Sequence, residues 1–341
     1  MACHRKVVWR GHRPRRRKED LEVSSANGTI RRVLSIDGGG IKGVFPASFL
    51  ATIEGQLDRP IGEYFDLIVG TSTGGIIAIG LGLGFSAKDL LDFYLKLGPD
   101  VFAGNRFLKL FRWIGFSKYD PTALQLKLAD KFGERKLGES RTRLVIPSLN
   151  LETLEVHIYK TSHHERLRMD YLEPAVVAAR ATTAAPTYFP TYKSAQGIPF
   201  IDGGLWANNP IAVAAVEAVT ILEWPRQDIR ILSIGCTQEP PSIDWARRFS
   251  LGLLYWGFKA KDAFMGGQDS GAKGMAEHLI GKDSIFRINR MVSSGRYGMD
   301  ALKELDSLCG LGRSEARNEI SRLVPIFFKE PAEPFEPFHK L

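Results

Sequence analysis

Cysteine is scarce. Cys3, Cys236 and Cys309 are the only ones in 341 residues, far apart and odd in number. Such spacing suits neither a metal cluster nor a disulfide framework, and it points to a reducing, cytosolic setting. A secretory leader is also missing, because no apolar segment follows the basic start of the chain. Long uncharged runs are absent except at residues 67–87, and six glycines interrupt that one. A buried strand, turn and helix therefore explains it better than a membrane span. No internal repeat is visible. Lys42 follows a glycine run but lacks the spacing and the following Ser or Thr of a Walker loop.

What is present is an ordinary globular composition, 44% hydrophobic and 25% charged, enough to bury a large core in one or two domains. The net charge of +8 is local. Of the 46 Lys and Arg, eight fall within residues 1–18 with no acid among them, and the other 38 balance 38 acids. Such an arm can bind nucleic acid or anionic headgroups, but a like-charge block is more often a solvated extension, which is the expectation here.

The ordered chain is expected to begin after the SSANGT turn at Ser24–Thr29. Arg31–Asp37 is a short β-branched run, followed by Gly38-Gly39-Gly40-Ile41-Lys42-Gly43 and then by Phe45, Phe49, Ile53 and Leu57 at helical spacing. A second unit runs from strand 65–69 through Gly70-Thr71-Ser72-Thr73-Gly74 into a small-residue helix ending near Leu83, with a further helix starting at Ser86. Residues 102–119 interleave aromatic and cationic side chains. They read as a lid, a membrane-touching surface or, by preference, a partly buried helix with snorkelling cations. Strands are expected at 143–149, 155–159 and 229–234, and helices at 171–185 and from Pro210 to about Leu222, the latter capped by Asn208 or Asn209. Residues 241–323 read as helical, with a short strand at 284–288. This alternation predicts an α/β fold: a mostly parallel sheet flanked by helices on both faces, and a helical C-terminal third.

Three glycine-framed features sit at strand ends. G-x-S-x-G between a strand and a helix is a nucleophile elbow: the turn is so sharp that the central Ser is strained, and Gly70 and Gly74 leave room for the neighbouring backbone. Ser72 is the candidate nucleophile. Asp202, before Gly203 and Gly204, is the candidate base, and the N–H groups of Gly38, Gly39 and Gly40 are candidates for binding an oxyanion. Two rivals use the same residues. Gly38, Gly40 and Gly43 with Asp58 satisfy a dinucleotide fingerprint, and Ser72, Asp202 and His278 satisfy the chain order of a Ser-His-Asp hydrolase.

DGGGIKG, GTSTGG, AAPTYFP at Ala184–Pro190 and DGGLWANNP at Asp202–Pro210 follow one another in the order and chemistry of the patatin-like phospholipases. The chain resembles that family over roughly 31–240. The resemblance implies a lipid acyl hydrolase with a Ser72–Asp202 dyad, no catalytic histidine, no metal or cofactor, and an oxyanion loop at Gly38–Gly43. Lys42 stands where many members have Arg, which keeps a positive charge but loses the planar fork. The opening IDGGGIKGVFPASFLATIE and the helical last third ending near Ile285–Asn289 also resemble bacterial patatin-like effectors switched on by cyclic oligonucleotides in anti-phage signalling. The expected organisation is residues 1–30 as a basic disordered extension, 31–325 as a patatin-like domain with its helical part at about 241–323, and 326–341 as a tail. The expected partners are a phospholipid membrane surface, a cyclic dinucleotide activator and further copies of the chain, with no nucleic-acid polymer. The expected location is the cytoplasm, with action at the inner face of the cell membrane. Arg247, Arg248, Tyr255, Trp256, Lys259, Lys261, Arg287 and Arg290 are the cationic and aromatic groups of the C-terminal third suited to a phosphate ligand.

Overall fold

Alternating apolar residues in the central strands decide the layering. In β1 (Arg31–Ile36), Val33 belongs to one buried cluster while Leu34 and Ile36 belong to the other, and β2 (Leu67–Gly70) divides Leu67 and Val69 from Ile68 in the same way. Both faces of the sheet are therefore dry, as a parallel sheet requires. The structure, a computed structural model, describes residues 29–102, 117–240, 252–298, 300 and 302–341, with backbone alone for 102, 253–255, 257–259 and 261. The basic arm, most of the aromatic stretch, Arg247 and Arg248, and the side chains of Tyr255, Lys259 and Lys261 lie outside the described residues.

The remaining strands are β3 (Arg143–Asn150), β4 (Val156–Lys160), β5 (Tyr192–Lys193), β6 (Pro199–Asp202), β7 (Ile229–Ile234) and β8 (Ile285–Ile288). They form one eight-stranded sheet in the order β5-β6-β3-β2-β1-β7-β8, with β4 also on β3. The pairs β3-β2, β2-β1, β1-β7 and β7-β8 are parallel, and β4, β5 and β6 add an antiparallel flank. The α/β architecture read from the sequence is the one found.

Helices α1 (Val44–Glu54), α2 (Thr73–Gly82), α3 (Ala87–Phe102), α4 (Pro121–Phe132) and α5 (Ala175–Thr183) come before β5, with the short turn α6 (Gly204–Ala207) and α7 (Ile211–Val216) after β6. Two long helices, α8 (Leu253–Ile280) and α9 (Leu305–Phe327), make up most of the last third. One face of the sheet packs on α7 and the end of α8; the other packs on α1, α2, α3 and α9. α2 is buried along its whole length, which is why it is apolar all round. Among the described residues no helix is long and apolar enough to cross a membrane.

Two local outcomes differ from expectation. The helix expected from Pro210 to about Leu222 becomes a π-turn at Glu217–Ile221, where Glu217 turns inward to Lys160 at 2.7 Å and His163 at 2.8 Å. α4 was not anticipated, although Asp120 caps it by accepting from the Thr122 N–H at 2.7 Å and Pro121 opens its first turn.

The chain beyond α9 is fixed to the body. Arg32 donates to the carbonyls of Phe327, Glu330 and Pro331, and the Ala332 and Phe338 N–H groups donate to Glu63 O and Ser162 O at 2.8 Å each. Phe327 is fully buried, with ring centroids 5.3 Å from Phe286 and 6.1 Å from Phe65 and Phe328. Phe327→Ala is expected to cost about 3–5 kcal/mol of stability through the cavity it leaves, as measured by denaturant unfolding.

Candidate active site

The parallel register sets Ile36, Gly70 and Ile234 side by side at the ends of β1, β2 and β7. The glycine loop, Ser72 and Cys236 therefore emerge along one edge, where an open parallel sheet places its sites. Ser72 caps α2 with φ 55° and ψ −121°, a strained backbone for a residue with a side chain. Close contact forces this turn. A Cβ on Gly74 would stand 2.3 Å from Ile36 O, and one on Gly70 would stand 2.2 Å from Gly74 O. The Ser72 N–H donates to Thr182 Oγ1 at 2.9 Å, and Thr182 donates onward to Pro147 O at 2.6 Å, so α5 and β3 brace the elbow.

Ser72 Oγ donates to Asp202 Oδ2 at 2.6 Å. Asp202 ends β6, which is held at this edge by the antiparallel pairing of Asp202 with Ser148 on β3. Its other oxygen accepts from the Gly204 N–H at 2.6 Å, which fixes the rotamer. Gly203 begins the turn between them, against Pro147 O. Burial pushes the Asp202 carboxyl up to about 6, against the pull of the bonds from Ser72 and Gly204. A carboxylate raised in this way is suited to take a proton near neutrality.

The glycine loop lies over Ser72. The Gly38 N–H is already donated to Asn208 O at 2.9 Å, so this group is spent, and the candidate oxyanion donors narrow to Gly39 and Gly40. The N–H groups of those two make no hydrogen bond among the described residues. Gly40 has φ 59°, a conformation that glycine reaches without strain. Gly43 packs on Thr73 beside the elbow, and Lys42 is half-buried, with its N–H donating to Gly39 O at 3.3 Å.

A cavity opens beside Ser72. Its walls are Ile41, Ile76, Tyr94, Leu97, Val101, Leu124, Tyr188 and Phe189, the last two from the AAPTYFP segment. Tyr94 spends its hydroxyl on Thr73, donating to the carbonyl at 2.7 Å and accepting from Oγ1 at 2.7 Å. The lining is thus almost wholly apolar, the surface an acyl chain would need.

Neither rival constellation is assembled. His278 is exposed on the last turn of α8, while both Asp202 oxygens are occupied by Ser72 and Gly204. Asp58 is exposed beyond the far end of α1, about 16 Å of helix away from the glycine loop it would have to serve. Among the described cationic groups of the last third, Arg287 is half-buried in an ion pair with Asp37, and Arg290 reaches Glu315 at 3.7 Å.

A strained serine bonded to a buried carboxylate, at the sheet edge and over an apolar cavity, defines a serine ester hydrolase. The family described as Patatin-like phospholipase matches residues 34–215, and the chain belongs to that family. Three relatives give the range. A "cGAMP-activated phospholipase" from Pseudomonas aeruginosa is 34% identical over 262 residues, covering 75% of this chain and 77% of the relative. One of the same description from Vibrio cholerae is 31% identical over 343 residues, covering 89% and 96%. "Patatin-like protein 2" from Arabidopsis thaliana is 35% identical over 224 residues, covering 57% and 53%.

With Asp202 as the candidate base, kcat/KM is expected to fall about tenfold per pH unit below about pH 6, where the carboxyl takes up a proton. The stability sign is opposite. A carboxyl raised from 3.8 to about 6 stabilises the fold below 3.8 and loses that contribution as pH rises through 6. Asp202→Asn should therefore melt higher than wild type at pH 8, on the order of a few degrees, with the gain vanishing by about pH 4. Thermal melts across that range check it.

Proposed function

We propose that the protein is a phospholipase of the A type, cleaving membrane phospholipid acyl esters through Ser72 and Asp202 and switched on by a cyclic dinucleotide. The observation that carries the chemistry is the 2.6 Å bond from Ser72 Oγ to Asp202 beside the apolar cavity. Ser72 Oγ attacks the ester carbonyl as its proton passes to Asp202, and the Gly39 and Gly40 N–H groups receive the oxyanion. Collapse of the tetrahedral intermediate expels the lysophospholipid alcohol, which takes the proton from Asp202. A water then gives a proton to Asp202 and attacks the acyl-enzyme. As the acyl–Oγ bond breaks, Ser72 recovers its proton and the fatty acid leaves. The positive end of α2 favours each oxyanion.

The activator is supported by the relatives described as cGAMP-activated, which cover most of this chain. It also answers a physical need. A phospholipase working at the inner face of its own cell's membrane destroys its host unless ligand binding favours the open state over the closed one. The role that fits is host membrane degradation in anti-phage defence, triggered by the nucleotide.

The test uses phospholipid vesicles with and without a panel of cyclic dinucleotides. One of them should raise hydrolysis about tenfold or more, the scale of ordinary allosteric coupling, and Ser72→Ala should remove all turnover with or without it. Full vesicle hydrolysis by nucleotide-free protein would overturn the switch. Turnover surviving in Ser72→Ala would overturn the site. A methyl on Gly39 would lie 2.5 Å from Cys236 Cβ, so Gly39→Ala should displace the loop and lower kcat by about 10²-fold to 10³-fold, read on a soluble fluorogenic ester.

A further inference from the structure

Beneath the glycine loop lies a polar cluster that the ester chemistry does not use. Asp37, the residue before Gly38, is buried, and one guanidinium holds both its oxygens: Arg287 Nη1 donates to Oδ1 at 2.7 Å and Nη2 to Oδ2 at 2.5 Å. Arg287 stands on β8. It also donates to Ser233 Oγ on β7 at 2.8 Å and to Asp269 Oδ1 on α8 at 3.0 Å. Asp269 accepts in turn from Asn209 Nδ2 at 2.7 Å, and the adjacent Gln268 Oε1 accepts from the Asn208 N–H at 2.8 Å. Asn208 closes the circuit. Its carbonyl accepts from the Gly38 N–H at 2.9 Å, and its Nδ2 donates to Gly38 O at 3.3 Å.

One turn of α8 and one arginine therefore grip both loops that converge on Ser72. The glycine loop is held through Asp37, and the loop that follows the base is held through Asn208 and Asn209. A forked guanidinium–carboxylate pair fixes orientation as well as distance. A pair with its carboxylate buried and its guanidinium half-buried would gain little if kept for stability alone, because desolvating the charges offsets much of their attraction.

We propose that Arg287 and Asp269 are positioning residues for the reaction, holding the Gly39 and Gly40 N–H groups where the oxyanion forms on a carbonyl attacked by Ser72. The proposal rests on the Ser72–Asp202 reading above. Neither residue touches the reacting atoms, so their effect falls on the rate of acyl transfer and not on substrate affinity, since misplaced donors are felt as charge develops.

The test measures kcat, KM and melting temperature on a short soluble fluorogenic ester for Arg287→Lys, Asp269→Asn and Lys160→Met. Arg287→Lys keeps the charge and loses the fork. Asp269→Asn breaks the charged link to α8 while leaving the Asp37–Arg287 pair, and it decides the matter if Arg287→Lys does not fold. Lys160→Met removes the β4 partner of the buried Glu217, outside both loops, and serves as the stability control. Arg287→Lys and Asp269→Asn should each lower kcat about tenfold to a hundredfold with KM within about twofold of wild type. Reaction of Ser72 with a fluorophosphonate should slow in parallel, while Lys160→Met keeps its kcat despite a comparable loss in melting temperature. The proposal is overturned if a folded variant of either residue keeps wild-type kcat, carries its loss in KM, or loses activity only as the control does. Ser72→Ala in the same assay separates the two readings. Turnover that survives it removes the site assignment, whereas its loss beside full kcat in Asp269→Asn removes the positioning role alone.

Discussion

Everything at this site follows from how closely α2 descends onto the end of β1. The approach leaves no room for a methyl at Gly74, 2.3 Å from Ile36 O, and it forces the residue at the turn into a backbone that resists side chains. A serine is held there because the surroundings over-determine the turn: Thr182 takes its N–H, and α2 begins at the next residue. Relaxing that contact would let Ser72 fall back toward ordinary helix geometry, and Asp202 would lose its partner. The strain is balanced by an apolar helix buried along its whole length, so the core and the nucleophile belong together.

Two buried carboxylates lie at this edge, and their neighbours separate their roles. Burial pushes Asp37 and Asp202 alike up to about 6. Asp37 has a guanidinium across both oxygens and spends its charge on holding a loop. Asp202 has a hydroxyl and a single backbone N–H, so nothing permanently neutralises its charge. The same residue type, equally dry, holds a forked ion pair in one place and a serine hydroxyl in the other.

The sequence made the sheet edge legible because its signals are local. Glycines bracket Ser72 within five residues, the glycine run follows the first strand, and two glycines follow Asp202, so each feature announces its own turn. The alternation of strands with helices likewise predicted the mostly parallel sheet. What stayed hidden depends on register between distant segments. Nothing near Gly38 shows that its N–H goes to Asn208 O, nothing near Thr182 shows that it receives the Ser72 N–H, and Arg287 on its own strand looks like any cation available to a phosphate. α4 is a different kind of miss, since Asp120-Pro121 carries a helix-start signal inside the chain and went unread.

The cavity beside Ser72 has a composite wall. Leu97 and Val101 come from α3, Leu124 from α4 and Phe189 from the segment after α5, and none of these side chains has a polar atom to offer Ser72 or Asp202. In the proposed function, proton transfer and the holding of the acyl chain fall to separate parts of the polypeptide. An evolving lineage, or an engineer, can lengthen, narrow or bend the channel by exchanging one aliphatic residue for another on α3 or α4 while the turnover machinery is inherited unchanged. Such a division would let the acyl channel change without a change in how the ester is cut.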